Sequence, residues 1–194
     1  RAAEAWPGWR DTAVERRVEV LYEIARRMRA ERDALSCLMV REVGKPWREA
    51  DADVCEAIDF CEYYGRQMLQ LGQGHRLQVE LPGERNELSY HGRGPTVVIA
   101  PWNFPLAILA GMAGAALVTG NPVLLKPAEQ SMAIAGRFFE IALAAGVPPE
   151  VLHFLPGLGE TVGAALVADP RVTNVAFTGS RAVGLEIWRQ AGIT

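Results

Sequence analysis

Apolar side chains recur at Val14, Val18, Leu21, Ala25 and Met28, at alternating spacings of four and three, which places them on one face of a helix. The pattern predicts a helix from about Asp11 to about Val40, with Asp11 as N-cap and Gly44 and Pro46 as its stop. A second helix is expected from Pro46, because a proline lacks the N–H that would be unpaired in a first helical turn. It carries Val54, Ile58, Cys61 and Met68 on one face, with Glu49, Asp53 and Glu56 elsewhere on its surface. From Gly72 to Gly94 the pattern changes to two short extended pieces, 76–80 and 87–91, around the turn Leu81-Pro82-Gly83-Glu84, which reads as a hairpin.

After Gly94 the period changes again. Strands are predicted at 95–100, 122–126, 151–154 and 173–177, and helices at about 105–119, 131–145, 159–168 and from 180. Strands alternating with helices through short Gly/Pro connections predict an α/β fold with a parallel, Rossmann-like sheet covered on both faces. Right-handed crossovers then bring every strand's C-terminal end to one edge, where open α/β sheets bind ligands.

Composition narrows the setting. A chain of 194 residues with 49% hydrophobic residues can bury one core and an appended flap, and is short for a complete two-domain enzyme. Net charge is −3 and the arginines are scattered among acids, so no basic stripe points to nucleic acid. Cys37, Cys55 and Cys61 fall in helix-like segments without metal-ligand or disulfide spacing, and read neither as nucleophiles nor as ligands. His75, His91 and His153 share no partner pattern and read as structural. The acidic run from Glu49 to Glu56 reads as a solvated or interdomain face, since carboxylates two and three apart on a helix point different ways. Without a signal pattern or an apolar run of about 18 residues, the chain is expected to be soluble and cytoplasmic. It opens without Met and stops just after a helix, and so reads as a fragment.

Candidate chemistry gathers at the strand ends. The first strand stops in Pro101-Trp102-Asn103-Phe104-Pro105, where Asn103 offers two N–H donors to an oxygen that becomes negative during reaction. An Asn in a turn can equally satisfy nearby backbone, and Trp102 and Phe104 read as wall and packing. Lys126 ends Val123-Leu124-Leu125 and precedes Glu129; the two can hold a ribose diol or form an ordinary strand-end ion pair. A carboxylate at a ribose would also repel a 2′-phosphate. Ser180, after Phe177-Thr178-Gly179, opens a helix whose electropositive end can hold a phosphate, while Ser is also a common N-cap; both uses can coexist. Gly157-Leu158-Gly159 does not complete a Gly-x-Gly-x-x-Gly fingerprint.

Taken together, residues 99–106, 120–130, 155–159 and 177–184 resemble the N-terminal part of the cofactor-binding domain of the aldehyde dehydrogenase superfamily. The segments 42–54, 57–64 and 81–87 are similar to those of the 1-pyrroline-5-carboxylate (glutamate-γ-semialdehyde) dehydrogenases. The resemblance implies that Asn103 is the oxyanion-stabilising Asn and that NAD is the cofactor. Lys126 and Glu129 would then hold the adenosine ribose, Gly157 and Gly159 would flank the adenine, Ser180 would contact the pyrophosphate and Val183 would wall the adenine pocket. Further cofactor contacts are implied for Ile99, Ala100, Pro101, Trp102 and Gly179. No metal is implied.

The resemblance also implies a division into N-terminal helices (1–71), part of an oligomerisation flap (72–92) and an incomplete NAD-binding core (93–194), and a homo-oligomer; from the charge pattern and the lack of a long apolar run, no nucleic-acid partner and no membrane span are expected. The implied reaction adds a Cys thiolate to a small aldehyde and releases the acid with water activated by a Glu, both residues being expected beyond 194; the chain alone is then expected to be inactive. Succinate semialdehyde or another small aldehyde is the alternative substrate, and a truncated non-catalytic NAD-binding or assembly protein is the alternative function.

Overall fold

The expected first helix is interrupted. The computed structural model describes residues 1–76, 83–84 and 86–192, and in it α1 (Ala2–Arg10) precedes α2 (Val14–Ala30) and α3 (Arg32–Val43). The bend falls at Glu31 (φ −105°, ψ 15°), with neither Gly nor Pro to mark it. Tertiary contact accounts for it: the Glu31 carboxylate accepts from Arg137 Nε at 2.9 Å and Nη2 at 2.6 Å, and the change of direction carries Leu35 and Met39 into the core. Asp11 does not cap α2, which begins after Ala13; its carboxylate is held by Arg10 and its N–H closes α1 on the Pro7 carbonyl.

As expected, α3 ends at Gly44, in the left-handed region at φ 69°, and α4 (Trp47–Leu71) follows with Pro46 as N-cap. Val54, Ile58, Cys61 and Met68 are buried. The acidic run, however, does not all face water. Asp51 pairs with Arg32 at the surface, whereas Asp53 is 1% exposed, a correction to its expected place on the helix surface. The reason is packing: Asp53 precedes Val54 on the face that α4 turns inward, where a partner cation and a helix N-terminus meet it. The hairpin is present as β1 (His75–Arg76) antiparallel to β2 (Glu87–Leu88); the remainder of its first predicted strand, and Leu81 and Pro82 of its turn, lie outside the described residues.

Next come β3 (Thr96–Ile99), α5 (Ala107–Val118), β4 (Val123–Lys126), α6 (Met132–Ala144), β5 (Leu152–Phe154), α7 (Ala164–Val167), β6 (Asn174–Phe177) and α8 (Arg181–Ala191). The helix expected at 159–168 starts as a π-type turn at Gly159–Gly163 before becoming α7. All four strands are parallel, in the order β5-β4-β3-β6. The chain steps outward through β4 and β5, then crosses back to lay β6 on the far side of β3. A right-handed β5-α7-β6 crossover running in that reversed direction puts α7 on the face opposite α5 and α6.

Helix α5 is apolar all round because it is covered all round, by the sheet on one side and by α2 and α4 on the other. Gly111 permits the close approach of α4: a Cβ there would lie 2.9 Å from the Phe60 ring. The apolar spacing did not predict α1, which contains Pro7 and is held by tertiary bonds. Buried Trp9 donates from Nε1 to the Leu117 carbonyl at 3.0 Å. Arg17, 5% exposed, donates from Nε to Val118 O at 2.9 Å and from Nη1 to the carbonyls of Arg10 (3.0 Å) and Thr12. One buried guanidinium thus serves the carbonyl ends of α5 and α1, where a helix dipole favours positive charge.

Candidate active site

The strand order reverses between β3 and β6, and there Ile99 lies in register with Lys126 on one side and Phe177 on the other. A sheet that parts its connections at such a point leaves a crevice beyond the strand C-termini. Here the crevice is a cleft of about 800 Å³. Every site residue expected from the sequence lines it except Gly157. A second cavity of about 560 Å³ shares Ile99, Glu129, Gly159 and Val183 with the first and continues between α7 and α8. The two form one elongated crevice.

At its centre is Lys126. Its residue is 3% exposed, and among the described residues its ammonium has one hydrogen-bond acceptor, Glu129 Oε1 at 2.9 Å. An ammonium carries three donors, so two remain for a molecule in the cleft. Glu129 is fixed from a second side by the Gly159 N–H, which donates to the same oxygen at 2.6 Å. Burial works against ionisation of Glu129, but the bonds from Lys126 and from backbone amides outweigh it and hold its carboxyl below the ordinary value. Gly157 acts from behind the cleft. At φ 153°, with Val162 2.5 Å from where a Cβ would stand, it allows the turn that delivers Gly159.

Ser180 is the N-cap of α8, its Oγ accepting from the Val183 N–H at 3.3 Å, so its capping role is realised. Gly179 is required by close approach: a Cβ there would lie 2.6 Å from the Phe177 ring. The α8 N-terminus lies at the cleft and, with the Val183 N–H taken by Ser180, the first-turn amides left for a ligand are those of Arg181 and Ala182. Asn103 is exposed, and among the described residues its carboxamide makes no hydrogen bond. It is therefore not spent on satisfying turn backbone. Trp102 and Phe104, 53% and 41% exposed, wall this end.

None of the cysteines lines the cleft. Cys61 is buried in the α2–α4–α5 core, where burial pushes its thiol up to about 12. His153 bonds the Glu150 carbonyl and His91 the Ser89 hydroxyl, both at 3.0 Å. Two residues beneath the Asn103 turn escaped the sequence reading. Lys45 is buried against Asp53, with Nζ 2.5 Å from Oδ2, and also donates to the Asn103 carbonyl at 2.9 Å. The available signal was composition: the chain has two lysines, Lys45 and Lys126, and both are buried here.

The aldehyde dehydrogenase family model matches residues 1–194. The chain is 50% identical over 190 residues to the 1-pyrroline-5-carboxylate dehydrogenase of Geobacillus thermodenitrificans, covering 98% of this chain and 37% of that protein. The crystal structure of a 1-pyrroline-5-carboxylate dehydrogenase from Thermus with bound NAD superposes with a TM-score of 0.96 at 48% identity, over 98% of this chain and 37% of the other. Proline utilization A from Bdellovibrio bacteriovorus, inactivated by N-propargylglycine, gives a TM-score of 0.95 at 49% identity, over 98% of this chain and 20% of the other. The chain thus spans little more than a third of the curated relatives it matches. A parallel sheet with its crevice at the β3/β6 reversal, together with a family match along its whole length, establishes that this chain belongs to the aldehyde dehydrogenase family.

Proposed function

We propose that this chain is the cofactor-binding part of an NAD-dependent dehydrogenase that oxidises glutamate-γ-semialdehyde, the aldehyde of 1-pyrroline-5-carboxylate, to glutamate in proline catabolism. The observation that carries the proposal is Lys126: a buried ammonium with, among the described residues, one acceptor, beside a carboxylate held ionised, in a crevice that ends at an Asn103 carboxamide without a hydrogen bond among those residues. The donor set fits a dinucleotide. Lys126 and Glu129 bind the two hydroxyls of the adenosine ribose, the first-turn amides of α8 and Ser180 hold the pyrophosphate, and the cavity beside Val183 takes the adenine. Ile99, Ala100, Pro101, Trp102 and Gly179 form the floor and walls along its length. Glu129 disfavours a 2′-phosphate by charge, selecting NAD over NADP.

When bound, NAD supplies the two-electron acceptor of the oxidation. Asn103 donates a hydrogen bond to the substrate oxygen as that oxygen gains negative charge, a role its unengaged carboxamide leaves open. The nucleophilic Cys, which forms the thiohemiacetal, and the general-base Glu are assigned to sequence beyond residue 194. The names of the relatives favour glutamate-γ-semialdehyde over succinate semialdehyde. The intact protein is proposed to be a cytoplasmic homo-oligomer, with residues 1–71 as N-terminal helices, 72–92 as part of an oligomerisation flap and 93–194 as part of the NAD-binding core.

Two measurements test this. The 194-residue chain is expected to bind NADH but to show no aldehyde oxidation, while the full-length dehydrogenase oxidises glutamate-γ-semialdehyde; turnover by the chain alone would refute the placement of the nucleophile. Glu129→Ala is expected to weaken NADH binding by about 1.5–3 kcal/mol, roughly 10- to 150-fold, because two hydrogen bonds to a charged acceptor are lost. The pH dependence follows from the lowered Glu129 pKa. Its ion pair with Lys126 contributes fully above the unfolded-state carboxylate pKa and is lost only as pH falls through the lower folded-state value. Because the folded-state carboxyl stays ionised through the ordinary carboxylate range, calorimetric titration should find NADH affinity level from about pH 8 to about pH 5, with the fall confined to more acidic solution.

A further inference from the structure

We infer that Lys45 and Asp53 are positioning residues for Asn103, a buried ion pair that fixes both ends of the turn presenting the Asn103 carboxamide to the cleft. The inference rests on the role proposed for Asn103 above. Lys45 stands in the short connection between Gly44 and Pro46, where a left-handed glycine and a proline N-cap set its backbone. Its side chain is 6% exposed and that of Asp53 is fully buried.

The bonds of the pair go to the turn or to the partner. Lys45 Nζ meets Asp53 Oδ2 at 2.5 Å, donates to the Asn103 carbonyl at 2.9 Å, and lies 4.0 Å from the centre of the Phe104 ring. Asp53 Oδ1 accepts the Ala107 N–H at 2.6 Å, at the first turn of α5. The pair thus grips the turn before its bend, through Asn103 and Phe104, and after it, through Ala107. Asn103 has its backbone anchored while its carboxamide stays unengaged, as a preorganised donor requires. A compact ammonium with three donors suits this place, where a carboxylate, a carbonyl and an aromatic face meet it. Among the described residues, the bonds of this buried pair run to each other, to Asn103 and to Ala107, and not to Lys126 or Glu129 at the cofactor end of the cleft.

The test compares wild type, Lys45→Met, Asp53→Asn and the double variant Lys45→Met/Asp53→Asn. Each single change leaves one buried group badly matched and is expected to lower stability. The double change removes both charges and keeps a carbonyl acceptor for Ala107, so its thermal unfolding should return toward wild type. In the full-length dehydrogenase the double variant should nevertheless show kcat lowered about 10- to 100-fold, with KM for NAD within about twofold, because Asn103 has lost its anchor. In the full-length dehydrogenase, hydrogen exchange across residues 103–107 should quicken at least about tenfold in Lys45→Met, while NADH affinity is unchanged.

A double variant with wild-type kcat, or kcat losses that simply track melting temperature across the four proteins, would overturn the inference. So would unchanged exchange at 103–107. If the wild-type full-length protein oxidises no aldehyde, the functional proposal fails instead, and the exchange measurement still decides whether the pair holds the turn.

Discussion

Asn103→Ala is expected to lower kcat of the full-length dehydrogenase by about 10²- to 10³-fold, equivalent to about 2.7–4 kcal/mol, with KM for aldehyde and for NAD changed by less than about threefold. The reason lies in when the carboxamide acts. A neutral aldehyde oxygen gains little from one N–H donor that water can replace, whereas an oxygen carrying developing charge in a closed site gains much more. The donor makes no hydrogen bond among the described residues, so removing it leaves no protein acceptor unsatisfied and should not unfold the chain. Steady-state kinetics beside a thermal melt will separate the two effects. A rise in KM at constant kcat would instead place Asn103 in ground-state binding. Asn103→Asp should be worse than Asn103→Ala, because it sets a negative charge against the one that develops.

The second large effect is one of stability, far from the cleft. Arg17→Ala is expected to destabilise the chain by about 2–4 kcal/mol, because it strips a buried carbonyl at Val118 and part-buried ones at Arg10 and Thr12 of a charged donor and leaves a cavity. For a chain of this size that corresponds to a fall in Tm on the order of 10 °C. Burial lowers the Arg17 pKa, yet a guanidinium stays protonated and no change of pH relieves the loss. Arg17→Lys should recover part of the stability, since one ammonium cannot reach three carbonyls as a planar fork does. A melt unchanged in Arg17→Ala would show that the bonds from Arg17 contribute nothing to stability. Retained NADH binding in the folded fraction would confirm that this joint is structural.

Much of the site was legible in the chain because strand ends advertise themselves. Val97-Val98-Ile99 and Val123-Leu124-Leu125 are short apolar runs broken by proline, and a parallel sheet leaves their loops on one edge. That geometry brought Asn103, Lys126, Glu129 and Ser180 together as expected. Gly157 was drawn toward the cleft by its motif, but its place behind Gly159 depends on how Val162 packs. Asp53 was misplaced for a related reason. Its helical position gave no sign that a lysine eight residues earlier would fold under it, or that α5 would begin above it.

The sequence by itself determined the alternation of strands and helices, the faces they bury, the edge that carries chemistry, and the resemblance that names the family. These are properties of near neighbours, set by backbone periods of two and 3.6 residues and by local turn chemistry. Only the tertiary structure decided the break at Glu31, the existence of α1, and the burial of Arg17, Lys45 and Asp53. Each of these depends on partners distant in the chain: Arg137 for Glu31, Leu117 for Trp9, Val118 for Arg17, and Asn103, 58 positions on, for Lys45. A buried charge is tolerable only where packing supplies its counter-charge or carbonyls, and no local spacing records where those will be.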